Sequence, residues 1–125
     1  MISSARGQGL TLSVPKSAEM KKIVFRPRAW EDVQESAEYL AENASTRIAE
    51  QFLDAVVELS ERLAAIPRMG ASCHFANPLL QGVRRFSVTG FDKWLVFYRA
   101  TDSGIEVIRV LHGARDIASI LGPDA

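Results

Sequence analysis

The sequence predicts a single α+β domain with a helix hairpin lying across a mainly antiparallel sheet, in the order β-α-α-β-β-β-α. Three observations predict it. Two stretches with helical periodicity stand side by side before residue 67. Three stretches rich in β-branched and aromatic residues, divided by turn signals, follow after residue 82. Each helix also carries an apolar stripe that it cannot bury alone, so the two must share a core with the sheet. At 125 residues the chain is long enough to bury roughly two thirds of its unfolded surface in one core.

Residues 1–20, MISSARGQGLTLSVPKSAEM, are Ser- and Gly-rich with little periodicity, and are expected to form a flexible tail outside the core. Met20 is an alternative start, and residues 21–125 form the domain. KKIVF at 21–25, closed by Pro27, reads as a strand. Trp30, Val33, Ala37, Leu40, Ala41 and Ala44 then make the apolar stripe of a first helix, whose early turns Glu31, Asp32 and Glu35 load with the negative charge that the helix dipole favours. A second helix begins at Ser45 or Thr46, either able to accept a hydrogen bond from a free first-turn amide. Its stripe is Ile48, Phe52, Val56, Leu59, Leu63 and Ile66, and Pro67 ends it by removing an amide donor.

Residues 67–82 read as loop from their Pro, Gly and Asn content. GVRRFSV, KWLVFYRA and GIEVIRVLH are the three strands, with TGFD and TDSG as turns. Trp94 to Tyr98 is almost continuously apolar, as a central strand covered on both faces requires. ARDIASIL forms a short terminal helix with Ile117, Ile120 and Leu121 at helical spacing. Trp30 and Trp94 read as core.

Composition narrows the function classes. No apolar run approaches the roughly 20 residues needed to span a membrane, and residues 1–20 lack the apolar segment of a signal peptide. The single Cys73 excludes an internal disulfide and a multi-cysteine metal site, so a reducing cytoplasm is the expected compartment. Net charge is zero but unevenly laid out. Residues 21–61 hold five basic and nine acidic residues, whereas residues 62–125 hold eight basic and five acidic. That asymmetry suits a basic face for an acidic partner as well as it suits ordinary solvated surface. Cys73 and His74 are neighbours in extended chain and point apart, which disfavours a nucleophile–base pair. One cysteine with two histidines is a poor zinc set. No glycine-rich phosphate loop and no paired-carboxylate signature is present, and no cofactor is expected.

WLVFYRATDSGIEVIRVLHGARDIASIL, residues 94–121, resembles the C-terminal signature of the ParE branch of the RelE/ParE toxin superfamily. The FYR strand, the IEVIRVLHG strand and the ARDI..IL ending carry the likeness. Upstream, AEYL, the A..F...V..L...L helix, IP..G and the GVRRF strand fall in the matching order, so the resemblance covers residues 21–121. It implies the toxin of a type II toxin–antitoxin pair, which inhibits DNA gyrase by binding it. It also implies neutralisation by a ParD-like antitoxin whose C-terminal segment wraps the toxin in a hetero-oligomer. The rival within the fold resembles RelE, a ribosome-dependent mRNA endoribonuclease; a detoxified binding module is a third reading.

Cleavage of RNA needs a group to take the 2′-hydroxyl proton, a cation for the transition state and an acid for the leaving oxygen. RelE-like enzymes draw these from lysines, arginines and a C-terminal tyrosine or histidine. Here no lysine stands between Lys22 and Lys93 and no tyrosine follows Tyr98, so no catalytic residue is assigned. What remains for target or partner binding is Arg84, Arg85, Arg99, Arg109, His112 and Arg115, whose planar donors suit phosphate or carboxylate. Arg109 alternates with apolar neighbours, so either one face of its strand is partly polar or its charge is paired, with Glu106 and Asp116 as candidate partners. RVLHGARD, residues 109–116, reads as the joint between the last strand and the terminal helix, with Gly113 permitting the turn.

Overall fold

The computed structural model describes residues 11–12, 21–113 and 117–122. In chain order they form β1 (Thr11–Leu12), β2 (Lys22–Phe25), α1 (Pro27–Asn43), α2 (Thr46–Ala65), β3 (Ala71–Ser72), β4 (Arg84–Val88), β5 (Phe91–Ala100), β6 (Gly104–His112) and α3 (Ile117–Leu121). The sheet runs β1-β2-β6-β5-β4-β3, with β2 parallel to β6 and all other neighbours antiparallel. The expected α+β architecture and element order hold, with two short strands added at the edges.

Those additions mark where sequence reading fell short. β3 lies inside the stretch read as loop, because two residues are too few to show a period; it pairs Ala71 with Arg85 and Ser72 with Arg84. Of the segment read as a tail, only Thr11 and Leu12 lie among the described residues, and they pair with Val24 and Ile23 as an outer strand.

α1 starts at Pro27, earlier than its apolar stripe suggests, since proline lacks the amide that a first helical residue would leave unbonded. That start leaves no acidic residue in the first turn, so Glu31, Asp32 and Glu35 are not dipole partners as expected. They serve side-chain pairing instead. Ser45 caps α2, its Oγ accepting from the Ile48 amide at 3.1 Å, and the helix ends before Pro67. Ala41, Ala44 and Ile66, placed on the predicted stripes, are exposed; Ala44 and Ile66 are cap residues just past the ends of α1 and α2.

The core has two layers. Val33 and Leu40 of α1 and Phe52, Val56, Leu59 and Leu63 of α2 bury against Trp94, Val96 and Tyr98 of β5 and Ile105, Val107 and Val110 of β6. Burying each such side chain is worth about 1.5–3 kcal/mol. On the other face Leu80, Val83, Phe97, Ile108, Leu111 and Leu121 form a second cluster beneath the 73–83 segment and α3. β5 is therefore covered on both faces, as its apolar run predicts. A bulge sets the phase of β6: Phe97 pairs with Arg109 and Tyr98 with Val107, leaving Ile108 as the extra residue. Hairpin-facing positions consequently fall at 105, 107 and 110 rather than at strict alternation.

Tyr98 accounts for the IP..G pattern. Its hydroxyl donates to the Pro67 carbonyl at 2.7 Å and accepts from the Gly70 amide at 2.8 Å. A Cβ at Gly70 would collide with that hydroxyl and with the Arg85 carbonyl, so only glycine fits. Burial pushes the Tyr98 hydroxyl above its ordinary pKa, against the opposing effect of the Gly70 amide, and it stays neutral.

Candidate partner-binding groove

β2 runs beside only the first half of β6. Its pairing covers Gly104 to Val107, and the Arg26 amide closes the ladder on the Val107 carbonyl at 3.0 Å. The chain then turns into α1, and among the described residues no strand pairs with the second half of β6 on that side. An unpaired buried amide costs about 1–3 kcal/mol, so something must replace the missing strand. Asp32 does. Its Oδ2 accepts from the Val110 amide at 3.0 Å and from Arg109 Nε at 2.7 Å, while Oδ1 accepts from Arg109 Nη2 at 3.0 Å. The Asp32 side chain is 4% exposed. It is also 3.5 Å from Arg28, which bonds Glu31 and Glu35 on the outer surface of α1.

The space beside this half-strand is a groove of about 430 Å3. Arg28, Asp32, Glu35, Ser36 and Tyr39 form its α1 wall, Arg109 to His112 its strand wall, and Trp94 and Ile120 complete it. Trp94 is held in place by its indole Nε1, which donates to Ser36 Oγ at 3.0 Å, and by edge-to-face contact with Phe52. The His112 ring stands perpendicular to Trp94 with centroids 4.6 Å apart. Tyr39 is 55% exposed and Ile120 36% exposed, large apolar surfaces flanking the groove. A second hollow, lined by Arg26, Asn77, Leu80, Ile108 and α3, continues it past Arg28, Arg109 and Ile120. The result is a groove open along a strand edge, with Trp94 and the Asp32–Arg109 pair buried within it and Tyr39, Ile120 and Arg28 exposed beside it.

The six residues predicted to bind a partner do not converge. Arg109 and His112 line the groove. Arg109 finds its partner in Asp32; the candidate Glu106 instead bonds Arg26 at 2.9 Å and approaches Arg99 at 3.6 Å. Asp116, the other candidate, and Arg115 lie outside the described residues. Arg84 donates to the Gly70 carbonyl at 2.7 Å, and Arg99 donates to the Leu79 and Gln81 carbonyls at 3.0 and 3.2 Å. Arg84 thus braces the turn before β3, and Arg99 the segment that crosses the second face. Arg85 alone of these three is exposed, on β4 away from the groove. Gly113 lies in the turn after β6 as expected, although its φ is not in the left-handed region; its amide donates to the Lys93 carbonyl, and a Cβ there would stand 3.2 Å from that oxygen.

Sequence reasoning missed Asp32, Ser36, Tyr39 and Arg28 as a group. Their signal was present. Residues 28, 32, 35, 36 and 39 recur at helical spacing and make a second stripe beside the apolar one.

Comparison with known proteins fits this geometry. The family model of the ParE toxin of the type II toxin–antitoxin system parDE matches residues 23–117. The chain belongs to the ParE toxin family. Toxin ParE3 of Caulobacter vibrioides is 31% identical over 83 residues, which span 66% of this chain and 77% of that one. Toxin ParE1 of Mycobacterium tuberculosis is 39% identical over 70 residues, covering 55% of this chain and 65% of the relative. Among solved structures, the chromosomal ParDE toxin–antitoxin system from P. aeruginosa includes a chain that superposes with a TM-score of 0.59 at 17% identity, over 72% of this chain and 92% of that one, a likeness of fold. The matched residues of the family model run from β2 to the start of α3 and so contain both walls of the groove except Ile120.

Proposed function

We propose that this ParE-family toxin acts by binding DNA gyrase rather than by catalysis, and that a ParD-like antitoxin silences it by laying an amphipathic segment in the α1–β6 groove. The observation that carries the reading is the half-strand left open beside α1, with Tyr39, Trp94 and Ile120 for an apolar stripe and the half-exposed Arg28 for acidic side chains. A disordered segment that folds into such a groove gains apolar burial and charge pairing together. Of the arginines that the sequence marks for target or partner binding, Arg84, Arg99 and Arg109 are engaged by backbone carbonyls, Glu106 and Asp32, so the groove and not that set carries the reading. The complex is a cytoplasmic hetero-oligomer in this reading. Among the described residues no helix is long and apolar enough to cross a membrane.

Purified toxin should inhibit gyrase supercoiling and leave mRNA on translating ribosomes uncut, and the antitoxin encoded beside it should relieve the inhibition. Cuts in ribosome-bound mRNA without an effect on gyrase would overturn the gyrase assignment in favour of the nuclease. For the antitoxin, Tyr39→Ala combined with Ile120→Ala should weaken binding about tenfold or more, as loss of an anchoring contact does. Arg85→Glu, on a surface away from the groove, should change affinity less than threefold.

A further inference from the structure

Four arginines, Arg26, Arg28, Arg99 and Arg109, share the carboxylates of Asp32 and Glu106. Asp32 bonds Arg109 and lies 3.5 Å from Arg28, while Glu106 lies 2.9 Å from Arg26 and 3.6 Å from Arg99. Glu31 and Glu35 reach Arg28 only from the exposed outer surface of α1. Three of the four, Arg26, Arg28 and Arg109, line the second hollow beyond Ile120, and among the described residues no carboxylate lines it. Each of the three engages its acids with only part of its guanidinium. Arg26 bonds Glu106 through Nε, Arg28 reaches its acids through Nη1, and Arg109 holds Asp32 through Nε and Nη2. A guanidinium carries five N–H donors. Nη1 and Nη2 of Arg26, Nη2 of Arg28 and Nη1 of Arg109 therefore have no acceptor among the described residues. Asn77, on the same wall, gives its Oδ1 to the Leu79 amide at 2.9 Å and keeps its NH2 group as a further donor.

Cationic donors in excess of acid, beside the buried Leu80 and Ile108, suit an anion that is partly shielded from solvent. We propose that this hollow takes an acidic side chain, aspartate or glutamate, of the antitoxin segment that lies in the α1–β6 groove. The hollow shares Arg28, Arg109 and Ile120 with that groove, so a peptide leaving the groove past Ile120 passes over it. A carboxylate matches the donors left over, because its two oxygens accept from a pair of parallel guanidinium N–H groups. The antitoxin segment accordingly carries an acidic residue next to the apolar side chains that fill the groove. The occupant rests on the groove reading, and not on gyrase as the target.

Arg26 lines the hollow but not the groove, and Tyr39 the groove but not the hollow, so variants of the full chain test the two separately. Arg26→Gln should weaken binding of the ParD-like antitoxin encoded beside the toxin about tenfold or more, and make the remaining affinity less sensitive to salt. Tyr39→Ala should weaken binding without changing that sensitivity. Glu106→Gln removes the acid that competes for Arg26 and should tighten binding. The Arg26 side chain does not cap α1, and Glu106 keeps Arg99 when Arg26 is replaced, so thermal melts of Arg26→Gln should stay close to those of the unmodified chain. Unchanged affinity in Arg26→Gln alongside a loss in Tyr39→Ala overturns the acid site and leaves the groove standing. A loss in Arg26→Gln with none in Tyr39→Ala overturns the groove instead. Equal weakening by Arg26→Gln and Glu106→Gln shows that the pair only braces the strand end, and overturns the site. So does a single-stranded oligonucleotide whose binding is lost in Arg26→Gln while antitoxin affinity is kept, since the hollow then serves phosphate.

Discussion

The two halves of β6 are closed by different means, although each has one acid paired with arginines. Along Gly104–Val107 a parallel strand supplies the backbone partners, and Glu106 is left to pair with Arg26 at the surface, the two side chains 29% and 41% exposed. From Ile108 onward a single carboxylate does the work of a strand, and Asp32 and Arg109 are 4% and 16% exposed. The same ion pair is thus an accessory in one half and a structural necessity in the other. What separates them is whether a backbone amide depends on the acid. The difference also decides where a partner can bind. A strand fills the space beside the first half, whereas a side chain three bonds long closes the second half and leaves a groove.

Breaking the buried pair should have the largest effect. Asp32→Ala removes the acceptor of the Val110 amide and the partner of Arg109 together, and removal of one member of a buried pair costs about 3–5 kcal/mol. Urea denaturation should show this loss, and a cost below about 1 kcal/mol would mean that water replaces the carboxylate. Replacing both members, Asp32→Leu with Arg109→Leu, sharpens the point. Apolar replacement of a buried ion pair is often neutral, but here the Val110 amide still loses its acceptor, at about 1–3 kcal/mol. The double variant should therefore be more stable than Asp32→Ala and less stable than the unmodified chain. Full recovery would show that the pair, and not the amide, sets the cost.

Much of this architecture was legible in the residues. Helix stripes, the Ser45 cap, the Pro67 stop and the continuous apolar run of β5 each follow from local rules that tertiary packing left intact. The groove was not legible, because it depends on β2 being shorter than β6, which no local pattern encodes. Asp32 looked like dipole chemistry because it stands early in a helix; its role appears only once the chain has placed that helix beside an unfinished strand edge. Arg109 did announce itself, as a charge among apolar neighbours that called for either a polar strand face or a partner. The partner lies 77 residues away in sequence, beyond the reach of spacing arguments. Arg84 and Arg99 misled for the complementary reason: their targets are backbone carbonyls, which every residue has and no sequence pattern marks.

The smallest effect should come from the exposed pair. The hydrogen bond from Arg26 holds the Glu106 carboxyl below its ordinary pKa of 4.5, with partial burial opposing and the charges of Arg26 and Arg99 adding to the depression. A carboxyl lowered by folding stabilises the native state above its unfolded pKa, and that contribution fades as pH falls through the folded value. Glu106→Gln should thus cost under about 1 kcal/mol at neutral pH, since solvent screens the pair. The cost should shrink as pH falls from the ordinary value of 4.5 through the lowered folded value, below which the glutamate itself is protonated in the native state. Thermal melts of both chains at neutral and acid pH measure it. A difference in melting temperature that is as large at acid pH as at neutral pH would show that Glu106 acts through its shape or packing. It would then resemble Asp32 more closely than its exposure implies.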